Sequence, residues 1–267
     1  MESEGAVPIL AVPSETISFN EWNITVERSN ILKSMCTQGA NVCEKNSANC
    51  CELCTYKHAL NLPHLPGLVF HKNKLMLENK YGAKMQFGPM DALKFVDNGK
   101  DEALEVACAQ KWCDTRSELM KCKRFDWTFT SPYQGTLNEE FRAEPTDIPI
   151  NKDKLLQRED ILFFDDITLY EDELHDQGIS KMSVRIRVMA SGFLILLRHF
   201  LRVDDVLIRL HDTRFYWEIE NDYILKEFVH REAPCSLLQD VISIWTNPDE
   251  LQNYLPVAVR ELHKLYF

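Results

Sequence analysis

Glycine is scarce in this sequence: nine glycines occur among 267 residues, about half the usual frequency. Neither the G-x-x-x-x-G-K-S/T pattern nor the G-x-G-x-x-G pattern is present, so the sequence lacks the loops that hold nucleotide phosphates. The G-x-S-x-G turn that carries the nucleophile of many hydrolases is missing as well. These absences argue against the common nucleotide-dependent and serine-hydrolase classes.

Long hydrophobic runs are also missing. The longest uninterrupted apolar run, Phe193 to Leu197, is far too short to cross a bilayer. Residues 1 to 15 lack a positive start and a sustained apolar core, and Pro8 and Pro13 interrupt the one candidate run. We therefore expect no signal peptide and no membrane association, and a location in the cytoplasm or the nucleus. In that setting the nine cysteines should be mostly reduced thiols.

Basic residues are outnumbered. Thirty Lys and Arg face 41 Asp and Glu, which gives a net charge of −11. Nucleic acid would repel such a chain, so we expect no nucleic-acid partner. Proteins with basic or mixed surfaces fit this charge better.

The most regular part of the sequence runs from Leu169 to Trp217. From Ser183 to Met189 apolar and polar residues alternate, which predicts a strand with one buried face. Turns are predicted at Gln177-Gly178, Ser191-Gly192 and Asp204-Asp205, so three or four long strands should follow one another as hairpins. We predict an α+β fold, mainly antiparallel sheet with a few packed helices, as a single compact domain over residues 17–267. Residues 1–16 should be a flexible N-terminus, and residues 36–64 a cysteine-rich loop.

Other local patterns predict shorter elements. They are strands around a turn at Asn20-Glu21, a hairpin centred on Lys72-Asn73-Lys74, a helix capped by Asp91, a helix from Glu102 to Arg116, a strand from Phe125 to Thr130, a surface loop over 138–150, a helix from Lys152 to Arg158, and a short helix after Pro248.

Two clusters of side chains could bind a metal ion or take part in catalysis. In the first, Asp172, Glu173, His175 and Asp176 could bind a hard metal ion or act as acid and base, as in a metal-dependent enzyme. Consecutive strand residues alternate faces, however, so these side chains do not converge simply, and a polar turn explains them better.

The second cluster is rich in cysteine. Cys51-x-x-Cys54 is half of a zinc site, and Cys43, Cys50, His58 or His64 could complete it in a zinc-stabilised interaction module. The spacing lacks a second close pair of cysteines, which favours a loop of reduced thiols. We therefore expect no catalytic residue, no metal and no cofactor.

Several longer stretches together resemble one family. They are Phe125-Asp126-Trp127-Thr128-Phe129-Thr130, Tyr133-x-Gly135-Thr136, Leu169 to Gly178, Val184 to Met189, Leu197 to Asp204, Leu207-Ile208-Arg209, Asp212-Thr213-Arg214 and Gln252-x-Tyr254-Leu255-Pro256.

These motifs are similar to the TOR signalling pathway regulator-like (TIPRL) family over roughly residues 17 to 260. The stretch from Cys36 to Cys54 departs from the family pattern. The resemblance implies a non-enzymatic regulator that binds catalytic subunits of type 2A-family Ser/Thr protein phosphatases and modulates their activity or assembly in TOR signalling. It also implies a link to an alpha4/Tap-type regulatory partner.

Arginines in the predicted hairpins have two interpretations. They could pair with nearby acids across a solvated sheet face, where each ion pair contributes little. Alternatively, they could form a docking face, because the forked guanidinium suits protein interfaces. We predict docking, by Asp91, Asp126, Trp127, Arg185, Arg187, Arg198, Phe200, Arg202, Asp204, Asp212 and Arg214.

Overall fold

The computed structural model describes residues 14–37, 43–44, 50–60, 62–96 and 127–267. These residues form two antiparallel sheets with a few short helices in one compact domain, so the predicted α+β fold is confirmed. The small sheet has the order β1-β2-β4-β5-β6, and the large sheet β3-β8-β9-β10-β11-β12-β13-β7. The strands are β1 (Ser14–Phe19), β2 (Trp22–Glu27), β3 (Leu68–Val69), β4 (Lys74–Asn79), β5 (Lys84–Phe87), β6 (Thr136–Leu137), β7 (Arg142–Pro145), β8 (Ile161–Asp172), β9 (Gly178–Met189), β10 (Gly192–Val203), β11 (Leu207–Glu218), β12 (Tyr223–Pro234) and β13 (Val257–Tyr266).

Five long strands, β8 to β12, form the centre of the large sheet, and each has twelve residues. Each strand pairs with the next one in the chain. The predicted hairpins are therefore confirmed and extend one strand further, through β12. Asp205 has a φ of 61°, which is the left-handed geometry that tight hairpin turns require.

The main core lies between the two sheets. Trp22 of the small sheet meets Phe193 and Trp217 of the large sheet, with ring centroids 5.6 and 6.1 Å apart. Val184, Ile186 and Val188 point into this core, as the alternation predicts. The inner face of the large sheet is thus its apolar face, and the outer face carries the alternate residues.

Two short segments cover parts of the outer face. At one end, residues 235–255 contain two 3₁₀ turns (Cys235–Leu237 and Gln239–Ile244) and helix α4 (Pro248–Leu251). Trp245 and Leu251 of this segment pack on Phe200, Ile208 and Leu210. At the other end, Ile150 packs with Tyr216 and Leu225 beside helix α3 (Lys152–Leu155). A polar strip remains between these two covers.

Several local predictions were wrong. Leu68–Val69 and Lys74–Asn79 are strands, but they lie in different sheets and do not form a hairpin. Asn73 connects the two regions instead: its Oδ1 accepts from the amide of Ser29, and its Nδ2 donates to the carbonyl of Thr168.

Other corrections concern helix and strand limits. Residues 127–130 form a turn rather than a strand, with Phe129 at a φ of 52°. Helix α1 (Glu52–Ala59) interrupts the cysteine-rich loop. Strand β7 lies within the predicted 138–150 loop, and strand β13 was not predicted. The predicted helix at 102–116 and residues 1–13 lie outside the described residues.

Helices α3 and α4 confirm two predicted short helices, although both are shorter than expected. Among the described residues, no helix is long and apolar enough to cross a membrane.

Candidate functional site

An ion-pair network crosses the polar strip of the outer face. Arg198 donates from Nε and Nη2 to both carboxylate oxygens of Asp212, at 2.6 and 2.8 Å. The two residues face each other across β10 and β11, and both are buried, Asp212 completely. Burial by itself would raise the pKa of Asp212, but the charges of Arg198, Arg214 and Arg231 hold that pKa below its usual value. This pair is therefore a permanently charged interior contact.

The network continues on both sides of that pair. Arg198 Nη1 donates to Asp249 of α4 at 2.7 Å. On the other side, Arg214 donates to Asp212 at 2.8 Å and to the Gln252 side chain at 3.0 Å. The covering segment is thus bound to the sheet by charge as well as by apolar packing. We call Arg198, Asp212, Arg214, Asp249 and Gln252 the outer-face network.

Arg185 stands at the exposed rim of this network. Its side chain is 40% exposed and pairs with Asp166 at 3.0 Å and with Asp249 at 3.2 Å. A groove of about 340 Å³ opens beside it, lined in part by Asp166, Arg198, Phe200 and Pro248. The groove contains both signs of charge and some apolar surface, which are features of protein interfaces.

The predicted docking residues fall into two groups by exposure. Arg198, Phe200 and Asp212 are buried, so most of the surface of these side chains contacts the protein itself, although Arg198 and Phe200 also line the groove. The Arg185 side chain is partly exposed, Asp204 is exposed, and Arg202 pairs with Asp204 at 2.7 Å. Docking by any of these residues stays a prediction.

The remaining predicted members lie elsewhere or are partly covered. Arg187 donates to the carbonyl of Leu155 at 3.5 Å, and Arg214 is mostly covered within the network. Trp127 packs against a buried group that includes Leu174 and Leu201. Asp126 lies outside the described residues.

Asp91 was predicted to cap a helix, and that prediction was wrong. Helix α2 (Pro89–Lys94) begins after Gly88, and Asp91 lies inside its first turn. Its carboxylate accepts from Gln86 at 3.1 Å and from Thr136 at 3.3 Å. Asp91 therefore joins α2 to the small sheet, far along the chain from the arginines of the outer face.

The acidic turn has a local structural role. Asp172 accepts from the backbone amide of Gly67 through one oxygen and from that of Leu174 through the other, both at 2.8 Å. Glu173, His175 and Asp176 are exposed, and His175 and Asp176 have φ angles of 55° and 65°. These contacts support the interpretation of a polar turn.

A row of three histidines on the inner face was missed from the sequence. His199, His211 and His230 lie opposite one another on β10, β11 and β12. The rings of His211 and His230 are 4.6 Å apart, and those of His199 and His211 are 5.7 Å apart. The alternation along each strand could have indicated three inward histidines, but their side-by-side position depends on the register.

Acidification should destabilise the protein through His211. Burial, together with the neighbouring His230 and Arg209, lowers the pKa of His211 to about 4, whereas an unfolded histidine titrates near ~6.5. The unfolded state therefore binds more protons between those values, so stability falls as the pH falls through this window. We expect His211 alone to remove about 2 kcal/mol between pH 7.5 and pH 5. His199, whose pKa burial also lowers, acts in the same direction.

Urea unfolding of His211→Gln at both pH values checks this expectation. The variant should lose less stability on acidification than the wild type does, even if it is less stable at pH 7.5. His263→Gln on β13, outside the histidine row, is the matched control and should keep the wild-type pH dependence. Equal losses for His211→Gln and the wild type would contradict the role of His211.

The described cysteines also converge. Four of them, Cys36, Cys43, Cys51 and Cys54, have sulfur atoms that all lie within 4.8 Å of one another. This is the one group found among the described residues whose side chains could hold a metal ion together.

The fold and the charged outer face define an α+β protein of two antiparallel sheets packed on a common core. A family model for the TIP41-like family matches residues 68–239. The chain is also 40% identical over 261 residues to the TIP41-like protein of Rattus norvegicus, covering 95% of this chain and 90% of the rat protein. This chain belongs to the TIP41-like family.

Two fungal relatives carry a more specific name. The Type 2A phosphatase activator TIP41 of Saccharomyces cerevisiae is 34% identical over 250 residues, covering 85% of this chain and 65% of the yeast protein. The Type 2A phosphatase activator tip41 of Schizosaccharomyces pombe is 32% identical over 226 residues, with 82% of each chain covered. The names of these two relatives agree with the class of protein that the sequence motifs resemble.

Proposed function

We propose that this protein is a non-enzymatic regulator that binds catalytic subunits of type 2A-family Ser/Thr protein phosphatases and modulates their activity or assembly in TOR signalling. The observation that carries the proposal is the similarity, over more than four fifths of this chain, to two proteins named type 2A phosphatase activators. An alpha4/Tap-type regulatory protein is a second proposed partner. The cytoplasm is the proposed location, and the nucleus is a second compartment.

The exposed part of the outer face is the proposed binding surface. It contains Arg185, which lines the 340 Å³ groove, and the Arg202–Asp204 ion pair at the end of β10. Exposed ion pairs such as Arg185–Asp166 contribute little to stability, so either side chain can exchange its partner for a group on another protein. The long strands beneath hold these side chains in fixed positions, which lowers the entropic cost of binding.

Arg198 is a poor choice for testing this surface, because it is buried and paired. Reversing its charge would unfold the sheet and abolish binding for a trivial reason. Arg185→Glu combined with Arg202→Glu changes the same face and leaves both members of the buried Arg198–Asp212 pair in place. The matched control is Arg142→Glu on β7, at the opposite edge of the large sheet, where the arginine is 73% exposed and pairs with Glu144.

We expect the Arg185→Glu/Arg202→Glu variant to bind a purified type 2A catalytic subunit at least about tenfold more weakly, which corresponds to about 1.4 kcal/mol. Its melting temperature should stay within a few degrees of the wild type, and Arg142→Glu should bind normally. Calorimetry or a pull-down with purified proteins measures this, and a phosphatase assay reports the change in activity.

The outcomes separate two claims. A wild-type chain that binds no catalytic subunit of the type 2A family would refute the proposed function. A double variant that binds as well as the wild type would refute only the proposed surface.

A further inference from the structure

Four cysteines from three parts of the chain meet beside helix α1. Cys36 lies in the segment that follows β2, Cys43 lies in the next described stretch, and Cys51 and Cys54 lie at the start of α1. The sulfur of Cys43 is 3.4 Å from that of Cys36 and 3.8 Å from that of Cys51, and the sulfurs of Cys36 and Cys51 are also 3.8 Å apart. Chance clustering of thiols along a loop would not bring all four sulfurs to one point.

These separations are those of a tetrahedral metal site. A zinc ion lies about 2.3 Å from each cysteine sulfur, which places the sulfurs of a regular tetrahedron about 3.8 Å apart. A cluster of two or more irons would hold the sulfurs of different irons further apart than the 4.8 Å limit of this group. The arrangement therefore fits one ion with four ligands.

The surroundings suit thiolate ligands. Cys54 is fully buried and Cys43 is nearly so, and the amide of Cys43 donates to the Cys54 sulfur at 3.1 Å. The backbone amides of Cys54 and Thr37 are hydrogen-bond partners of the Cys51 sulfur. Beyond the sulfurs, His58 Nε2 lies 2.7 Å from the carbonyl oxygen of Cys43, a contact that helps to hold the backbone of this proposed ligand in place.

We propose that Cys36, Cys43, Cys51 and Cys54 bind one Zn²⁺ in a closed structural site. Each thiol releases its proton to solvent when the ion binds, and no electron is transferred. Four protein ligands leave no open position for substrate, so the role of the ion is structural. The sequence pattern left this alternative open, but it did not point to Cys36 as a ligand.

The proposed ion would fix α1 against the rest of the protein. On its other side α1 is already attached: Tyr56 donates to the carbonyl of His71 at 2.9 Å, and Glu52 pairs with His71 and Lys72. Tyr56 and Leu60 belong to the main core. The zinc would therefore join the segment after β2 to a helix that closes one side of that core.

Cys50 provides a matched control from within the same stretch. Its sulfur lies 3.7 Å from the carbonyl oxygen of Cys51 and 3.7 Å from Thr55 Oγ1, and it is not a member of the converging group. Cys50→Ser therefore removes a neighbouring thiol without removing a proposed ligand.

The test measures metal content by mass spectrometry on the full chain, purified under reducing conditions and incubated with equimolar Zn²⁺. The wild type and Cys50→Ser should hold about one equivalent of zinc, and Cys36→Ser and Cys54→Ser less than about a tenth. Cobalt in place of zinc should give the intense visible absorption of a tetrahedral thiolate site. This readout does not depend on phosphatase binding, so it is independent of the proposed function.

Removing the metal from the wild type tests the proposal even if the cysteine variants do not fold. A chelator should lower the melting temperature, and added Zn²⁺ should restore it. A wild-type chain that holds less than about a tenth of an equivalent of zinc would overturn the proposal, as would a Cys36–Cys43 disulfide or one equivalent of iron. Equal zinc in Cys36→Ser and the wild type would overturn the ligand assignment.

Discussion

Replacing Asp212 by Asn should lower the free energy of unfolding by about 3–5 kcal/mol. Asp212 is fully buried, accepts both forked donors of Arg198, and also neutralises Arg214 at 2.8 Å. The substitution keeps the size of the side chain but leaves two guanidinium groups with less opposing charge in the interior. Urea unfolding at pH 7.5 measures the loss.

A double-mutant cycle with Arg198→Met identifies the ion pair as the cause. Each single substitution leaves one buried charge without its partner. The loss in the free energy of unfolding of the double variant should therefore be about 1–3 kcal/mol smaller than the sum of the losses of the two single variants. The matched pair is Arg185→Met with Asp166→Asn, an exposed ion pair at 3.0 Å on the same sheet, where each change should cost under about 1 kcal/mol. If Asp212→Asn costs no more than Asp166→Asn, the buried network does not stabilise the fold.

Gly178→Ala should have the second large effect, a loss of about 4 kcal/mol or more in the free energy of unfolding. Gly178 begins β9 at a φ of +141°, and a Cβ there would lie 1.9 Å from the backbone carbonyl oxygen of Arg202. That oxygen belongs to the paired strand β10, so it cannot move aside without opening the hairpin. Thermal unfolding followed by circular dichroism measures the loss.

Gly82→Ala separates the effect of backbone strain from the effect of a steric clash. Gly82 also has a positive φ, +98°, but nothing lies within 4 Å of a Cβ built there. The free energy of unfolding of this variant should fall only by the cost of the backbone strain, about 1–3 kcal/mol. Equal losses in Gly82→Ala and Gly178→Ala would show that the close approach to Arg202 does not matter.

The long hairpins could be predicted from the sequence because their signals are local. Alternation from Ser183 to Met189 and turn residues such as Gly178 and Asp205 each act within a few positions of the chain. Strand β13 gave no such signal, because its first five residues are exposed on both faces. The separation of β3 from β4 was also hidden, since β3 pairs with Tyr170 and Glu171, which lie about a hundred residues further on.

The candidate functional site could also be predicted only in part from the sequence. Six arginines in the hairpins were visible, but their burial depends on partners brought from elsewhere. Asp249 reaches Arg198 only because residues 235–255 fold back across the outer face. Likewise, the Cys51-x-x-Cys54 pair was visible in the sequence, while Cys36 joins it only through the path of the chain after β2.

The position of β13 affects how the protein is made. This strand lies between β12 and β7, although β7 precedes β12 in the chain. A ribosome therefore synthesises β7 well before the strand with which it pairs, and the edge of β12 stays open until β13 emerges. An open edge of this kind can pair with other nascent chains. We therefore expect the interval between the synthesis of β12 and that of β13 to be when this protein is most prone to aggregate.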